Sequence, residues 1–422
     1  MRLSAVLLPL ALAVLTPAQE VRPKDVRDTA KAGPSAIPKL QEMLKNPSVE
    51  VRVEVVKQLT DIGTQRSLDP LIQATHDTDA EVQIRATDAL VNFYLPGYVQ
   101  TGFGAGLKRV GTSIKGHFTD TNDQVIPGFV VVRPEVIAAL GEMARSDKNS
   151  MDTRANAARA IGILRGQAAV SDLIEAAHSK NTEVIYESLT ALEKIRDESA
   201  APRISFLLHD LDPKVQVAAI EATGLLLNKS AVPDLTGVLN RTRDARVRHA
   251  ALTAIAMLPL ESSRPLYAQY LNDKDDKMRA AAAEGYARLR NPSDLAMLDK
   301  AFAAETKTQP RLSLAFALVM LGRTNLTEFS PLQYLINTLN SGSYKGVALP
   351  FLTEAARLDN VRQVLYAPMQ SGTKDEKIGL LRVLARSGDS SSVREAQKLT
   401  NDPDPEVSQE ALRTVRTLQA RL

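Results

Sequence analysis

The sequence contains no cysteine and no tryptophan, only five histidines, and 4% aromatic residues across 422 positions. The missing cysteines exclude disulfide frameworks, thiol nucleophiles, thiolate zinc sites and iron–sulfur clusters. The histidines, His76, His117, His178, His209 and His249, stand apart. None has a second histidine at metal-ligand spacing, and the zinc-protease signature HExxH does not occur. No sign of charge dominates: 52 cations face 49 anions, a balance that gives no support to nucleic acid as a partner. What is present is 44% hydrophobic residues, mostly Ala, Leu, Val and Ile. Such material favours helices packed through small aliphatic side chains and rules out a wholly disordered chain.

Residues 1–18, MRLSAVLLPLALAVLTPA, place Arg2 before an apolar run, with Thr16 and Ala18 ahead of a plausible cut. This is the three-part pattern of a secretory signal peptide, and its apolar run is too short to span a bilayer as a helix. A soluble exported chain, periplasmic or extracellular, is expected to start near Gln19. Residues 19–35 would form a lead-in helix.

By length alone the chain would make two or three ordinary domains. Self-similarity gives another answer. EVRVEVVKQL from Glu50 matches EVQIRATDAL from Glu81. Anchored on Arg52, the pattern recurs at Gln83, Arg154, Ile185, Gln216, Arg248, Arg279, Arg311, Lys345, Lys377 and Ser408. The spacings are 31, 71, 31, 31, 32, 31, 32, 34, 32 and 31. Each unit has a first apolar segment, a polar turn often holding Asp or Pro (DTDAE from Asp77, NDPDPE from Asn401), and a second segment. In that second segment apolar or small residues follow the anchor on one helical face, as Ala251, Leu252, Ala254 and Ile255 follow Arg248. Gly63, Gly162, Gly224 and Asn291 fall where helix C-caps are expected. Each unit therefore reads as a helical hairpin that buries its apolar face only against neighbours.

The Asp/Pro turn followed by V-R-x-x-A-x-x-A-L resembles the HEAT repeat, in the short form also called phycobilisome-lyase-like. The resemblance covers about residues 36–91 and 133–422. It implies an all-α, right-handed α-solenoid of about eleven stacked helical hairpins over 36–422. It leaves function open, because such repeats serve many roles. Seven anchors are cationic: Arg52, Arg154, Arg248, Arg279, Arg311, Lys345 and Lys377. They are expected to form a structural ladder, each bonding the turn before it, whose Asp lies four or six residues earlier (Asp244 before Arg248; Asp273 and Asp275 before Arg279). In similar families that ladder ties adjacent repeats together. Pro350 falls inside a second helix and should kink it. Gln409, Glu410, Arg413 and Arg416 offer a solvated outer face for the last repeat.

The spacing of 71 marks an insertion of about 40 residues over 92–132. It holds seven of the 21 glycines and six of the 18 aromatic residues: Phe93, Tyr94, Tyr98, Phe103, Phe118 and Phe129. A connection this long is functional or disordered, and the aromatic content argues against disorder. Phe103, Leu107, Val110, Ile114 and Phe118 fall at helical spacing, with Lys108, Arg109 and Lys115 mostly off that stripe. Such a basic amphipathic segment suits a partner or an anionic membrane surface, or packs on the solenoid. QVIPGFVVV, from Gln124, reads as an extended strand with Pro127-Gly128 as a turn. Tyr94, Tyr98 and this stripe are the candidate contacts.

No catalytic constellation emerges. GFGAGLKRVG lacks a βαβ setting, GLKRVGTS has Thr112 where a phosphate loop needs Lys, and DTNDQ lacks the glycine and distal Glu of a calcium loop. No histidine precedes a glutamate, so the His-Glu iron dyads of deoxyhypusine hydroxylase, another helical-repeat family, are missing. No G-x-S-x-G elbow occurs. The expectation is a non-enzymatic exported scaffold with a protein partner, no cofactor and no metal. The alternatives are a lyase- or hydrolase-type enzyme with a site between the insertion and the concave helices, and a peripheral membrane adaptor.

Overall fold

The computed structural model of the chain describes residues 21–100, 108, 109 and 125–422. The leader-like residues 1–18 and most of the amphipathic stripe lie outside them. A first helix, Pro23–Ala30, leads into eleven helical hairpins, numbered here as repeats 1 to 11. Their second helices are Val49–Ile62, Ala80–Tyr94, Met151–Ile163, Thr182–Ile195, Pro213–Leu225, Ala245–Met257, Asp276–Leu289, Thr308–Met320, Lys345–Ala355, Lys374–Ser387 and Pro405–Arg421. The fold is an all-α solenoid. Its one β element among the described residues is an antiparallel pairing of Val99–Gln100 with Lys108–Arg109.

The polar turns decide where second helices start. Nine of the eleven begin after Ser48, Asp79, Ser150, Asn181, Asp212, Asp244, Asp275, Thr373 or Asp404, whose side chain accepts a first-turn backbone N–H. Repeats 8 and 9 start after Lys307 and Tyr344 without such a cap. Second helices of neighbouring repeats stack closely on each other, whereas first helices touch one another far less. The second-helix layer therefore forms the inner side of the curve. Leu59, Leu90, Ile161 and Phe316 of this layer are fully buried, and no helix is long and apolar enough to cross a membrane among the described residues.

Several expectations change at the level of single residues. The anchor is the fourth residue of its helix in ten repeats, but Lys345 is the first residue of Lys345–Ala355. The register there was set by a charge, and the helix starts later than its charge pattern suggests. Gly162 and Gly224 lie inside helices, not at caps. They are small because a Cβ on Gly162 would stand 2.7 Å from the Cα of Ala191 in the next repeat, and one on Gly224 2.9 Å from the Cα of Ala254. Gly63 does close its helix, at φ 57°, but in repeats 4 and 7 that left-handed position is held by Arg196 and Arg290. Asn291 instead caps the 3-10 turn Pro292–Asp294. Pro350 lies within the continuous helix Lys345–Ala355. On the last helix Gln409, Arg413 and Arg416 are exposed, while Glu410 is buried against Arg382 at 3.3 Å.

The described ends of the insertion are tied down. The Asn92 side-chain oxygen accepts the N–H groups of Gly97 and Val99 at 3.2 and 3.0 Å. The Ile126 N–H donates to the Ile163 carbonyl at 3.0 Å. Pro127-Gly128 does turn, with the Val130 N–H reaching the Pro127 carbonyl at 3.0 Å, but 125–132 is not a strand. The extended pairing uses Val99–Gln100 and Lys108–Arg109, so Lys108 and Arg109 are strand residues and not part of a helix.

Candidate functional site

Two rows of polar side chains run along the solenoid. The first follows the turns. Arg52 forms a bidentate pair with Asp77 of the next repeat, 2.7 and 2.9 Å, and its remaining nitrogen bonds the Asn46 and Pro47 carbonyls of its own turn at 2.9 and 3.1 Å. Arg279 repeats this geometry with Glu305 at 2.8 and 3.1 Å and with the Asp273 and Lys274 carbonyls. Lys377 reaches Asp402 at 2.8 Å. The carboxylate thus comes from the following turn, and the preceding turn supplies carbonyls. Arg154 is the exception: it pairs with Asp147 of its own turn at 2.5 Å and bonds the Ala144 carbonyl at 3.0 Å. The two glutamine anchors keep the carbonyl half of the pattern, Gln83 with Asp77 at 2.7 Å and Gln216 with Leu208 at 2.9 Å. Lys345 meets Asp375 at 3.0 Å from its shifted position. Arg248 makes no ion pair among the described residues; the Asp244 carboxylate of its own turn caps its helix and pairs with Arg246 at 2.9 Å. Arg311 has no ion pair either among the described residues; its guanidinium lies over the rings of Phe302 and Tyr334, 5.0 and 5.3 Å from their centroids.

One member of this row sits on a first helix. Arg362, of Asp359–Ser371, bonds the Ala356 carbonyl at 3.1 Å and Asp389 at 2.8 Å. An acid 27 residues after a cation was the sequence signal for it.

The second row lies on the inner side, and sequence reasoning missed it. Glu183, Tyr186, Glu187, Thr190 and Lys194 recur at helical spacing on the second helix of repeat 4. Arg159 of repeat 3 reaches Glu187, and Lys214 of repeat 5 reaches Glu183 at 2.6 Å. Asn156 of repeat 3 donates to Asp88 of repeat 2 at 3.1 Å. Further along, Arg288 braces Glu284 and Glu354. Two carboxyls interrupt the alternation: Glu193 in repeat 4 and Glu221 in repeat 5 are both buried. Burial, and then the neighbouring Glu221, pushes Glu193 well above the usual carboxyl range. Burial pushes Glu221 up to about 8. Burial also lowers Lys194 and raises the Tyr186 phenol.

The insertion starts next to this inner row. Tyr98 stands close enough to Arg159 to act on its charge. Tyr94 and Tyr98, taken from sequence as contact residues, are only 8% exposed. The Tyr94 oxygen accepts the Arg133 N–H at 3.1 Å and its ring meets Phe93 edge-on at 5.0 Å. Both rings are core and present no surface to a partner. Phe103, Leu107, Val110, Ile114, Lys115 and Phe118 lie outside the described residues, and Lys108 and Arg109 are placed by their backbone alone. His117, Asp120 and Asp123, the insertion side chains that an enzyme site against the concave helices would need beside Lys108, Arg109 and Lys115, also lie outside the described residues.

No group of His, Asp and Glu suited to a metal ion occurs among the described residues. His209 pairs with Asp234 at 2.8 Å, His178 stacks on Phe206 at 4.3 Å, and burial lowers the pKa of His249.

The HEAT repeat family model matches residues 8–94, 137–205, 200–266 and 239–319, more than half of the chain. The chain belongs to the HEAT repeat family. Among curated proteins this HEAT-repeat chain is similar to the phycocyanobilin lyase subunit alpha of Picosynechococcus sp., 32% identical over 142 residues, 30% of the chain. It spans about half (52%) of that relative's length. Among solved structures, the complex of CpcE and CpcF of phycocyanin lyase from Nostoc sp. aligns at 16% identity and TM-score 0.33, over 79% of this chain and 97% of that one. YibA of Escherichia coli aligns at 16% identity and TM-score 0.40, over 71% and 95%. Human deoxyhypusine hydroxylase aligns at 16% identity and TM-score 0.28, over 68% and 96%.

Proposed function

We propose that this HEAT-repeat protein is an exported, non-enzymatic scaffold whose insertion supplies a specific protein contact. The observation that carries this reading is the way the insertion leaves the solenoid. Tyr98 and Val99 are core, Lys108–Arg109 turns back on Val99–Gln100, and Ile126 is bonded to the end of a repeat 3 helix. The described ends of the insertion are thus fixed on the solenoid, at repeats 2 and 3. Residues 101–124 hold five of the chain's 21 glycines in 24 residues, and the stretch from 92 to 132 as a whole holds six of its 18 aromatics.

The test replaces 101–124 by a short Gly-Ser link and leaves the docked ends in place. Affinity capture from an envelope extract should recover at least one protein with the intact chain that the shortened chain loses. Identical partners for both would remove the insertion's role. Export is tested separately by N-terminal sequencing of protein from the periplasm and medium. A mature start near Gln19 supports the leader reading. An intact Met1 in the cytoplasm overturns it, and would fit the family match that begins at residue 8.

The likeness to a phycocyanobilin lyase subunit favours a second, lyase-type reading. Its test is the absorbance of phycocyanobilin mixed with the purified protein. A shifted, intensified spectrum would favour it, and an unchanged spectrum would remove it.

A further inference from the structure

Two cations of the turn row, Arg248 and Arg311, make no ion pair among the described residues; Arg248 has Asp273 25 residues later, but Arg311 has no acid at the corresponding place. Arg52, Arg279 and Lys377 take a carboxylate 25 or 26 residues later, from Asp77, Glu305 and Asp402. For Arg311 those offsets fall on Ile336 and Asn337, inside or at the end of Pro331–Asn337. The cause is a long connection: ten residues separate Thr308–Met320 from Pro331–Asn337, so the next turn comes late. When that turn arrives, as Asn340-Ser-Gly-Ser-Tyr344, it contains no acid. Its Asn340 is already engaged by Glu376 and Thr373 at 2.8 and 2.6 Å.

Aromatic rings replace the missing acid. Phe302 and Tyr334 stand edge to face, 6.0 Å apart, with the Arg311 guanidinium against both. Ring contacts hold the cation in place but satisfy none of its five N–H donors. The Arg311 Nε is buried without an acceptor, and no other nitrogen of the group bonds a described residue. A half-buried guanidinium whose two terminal nitrogens are unpaired among the described residues, set between aromatic rings, matches a carboxylate, whose two oxygens accept from both nitrogens at once.

We propose that Arg311, with Phe302 and Tyr334, forms a carboxylate-binding socket at the turn edge between repeats 8 and 9. It takes an acidic side chain that is flanked by apolar residues, from an extended segment of another protein. The partner's carboxylate occupies the place that the following turn fills elsewhere. This specifies one contact of the scaffold reading, and it lies on a different part of the solenoid from the insertion.

Fluorescence anisotropy with the labelled peptide ADLDLA and its uncharged counterpart ANLNLA tests the socket. The intact protein should bind ADLDLA about tenfold or more tighter than Arg311→Gln does. Arg311→Lys, which keeps the charge but loses the fork, should fall between them. ANLNLA should bind no better to the intact protein than to Arg311→Gln. Circular dichroism establishes that both variants are folded. Displacement of the peptide by millimolar succinate would assign the socket to free carboxylates as well as protein ones, and failure to displace it to acidic segments alone. Equal binding of ADLDLA to the intact protein and Arg311→Gln overturns the socket. The chain lacking 101–124 should bind the peptide normally; loss there would move the site to the insertion and overturn the assignment to Arg311. A failed socket leaves the insertion's capture experiment untouched, and the reverse holds.

Discussion

At the scale of the residue, burial sets charge state. Glu221 sits in the inner row with its carboxyl pushed up to about 8, and Glu193 one repeat away is raised too. An ordinary glutamate in the unfolded chain titrates near 4.3. A group raised on folding stabilises fully below its unfolded value, and that stability is lost as pH rises through the folded value. The urea midpoint should therefore fall between about pH 4.5 and pH 8, and Glu221→Gln should flatten the fall. Equal pH slopes in the two proteins would show that these carboxyls do not govern it. The same scale explains Gly162. Sequence suggested a helix end, but its neighbour is the backbone of Ala191, 2.7 Å from where a Cβ would be. Gly162→Ala should cost about 1–3 kcal/mol in urea unfolding, since two helices must move apart to admit one methyl. A cost near zero would place the constraint elsewhere.

At the scale of the element, what a sequence shows depends on how far apart the partners lie. Caps sit one turn from the helices they start, so the turns that hold Asp79 and Asp404 announced their hairpins directly. Register failed in one of the two repeats that lack a cap: Tyr344 caps nothing and the charge of Lys345 misled, whereas Arg311 kept its place after the non-capping Lys307. The turn cations were visible, but their carboxylates lie a repeat away. Asp244, close to Arg248 in sequence, pairs with Arg246 instead. The inner row was missed for the same reason, although a cation followed by an acid 28 residues later marks it at Arg159–Glu187 and Arg382–Glu410. The insertion's docking was hidden because Tyr94 and Tyr98 look like surface aromatics until Arg133 and the core cover them. The Arg52–Asp77 pair gives this scale its prediction. Both side chains are about nine-tenths buried. Arg52→Met leaves Asp77 buried without its cation and should cost about 3 kcal/mol. Adding Asp77→Asn should recover part of that loss, a coupling measured by a double-mutant cycle. Additive costs would mean that the pair does not join the repeats.

At the scale of the whole molecule, a solenoid is a chain of nearest-neighbour interfaces, and it opens at the weakest one. Repeat 9 is that place. Its second helix has 11 residues, no side-chain cap and an internal proline, and it stacks more thinly on its neighbours than those of repeats 7 and 8 do on each other. A brace compensates. Arg288 of repeat 7 passes over Phe316 of repeat 8 and holds Glu354 of repeat 9 at 2.8 and 2.9 Å. Phe316 in turn stacks on Phe351 at 4.7 Å. Three consecutive repeats are thereby joined through one guanidinium. Glu354→Gln removes the charge that reaches across the weak interface and leaves the nearest-neighbour contacts in place. Hydrogen exchange should then show about tenfold faster opening of 345–422, with 49–257 unchanged. Uniformly faster exchange would mean that the solenoid opens as one unit. Unchanged exchange would mean that stacking of Phe316 on Phe351 holds repeat 9 without the ion pair.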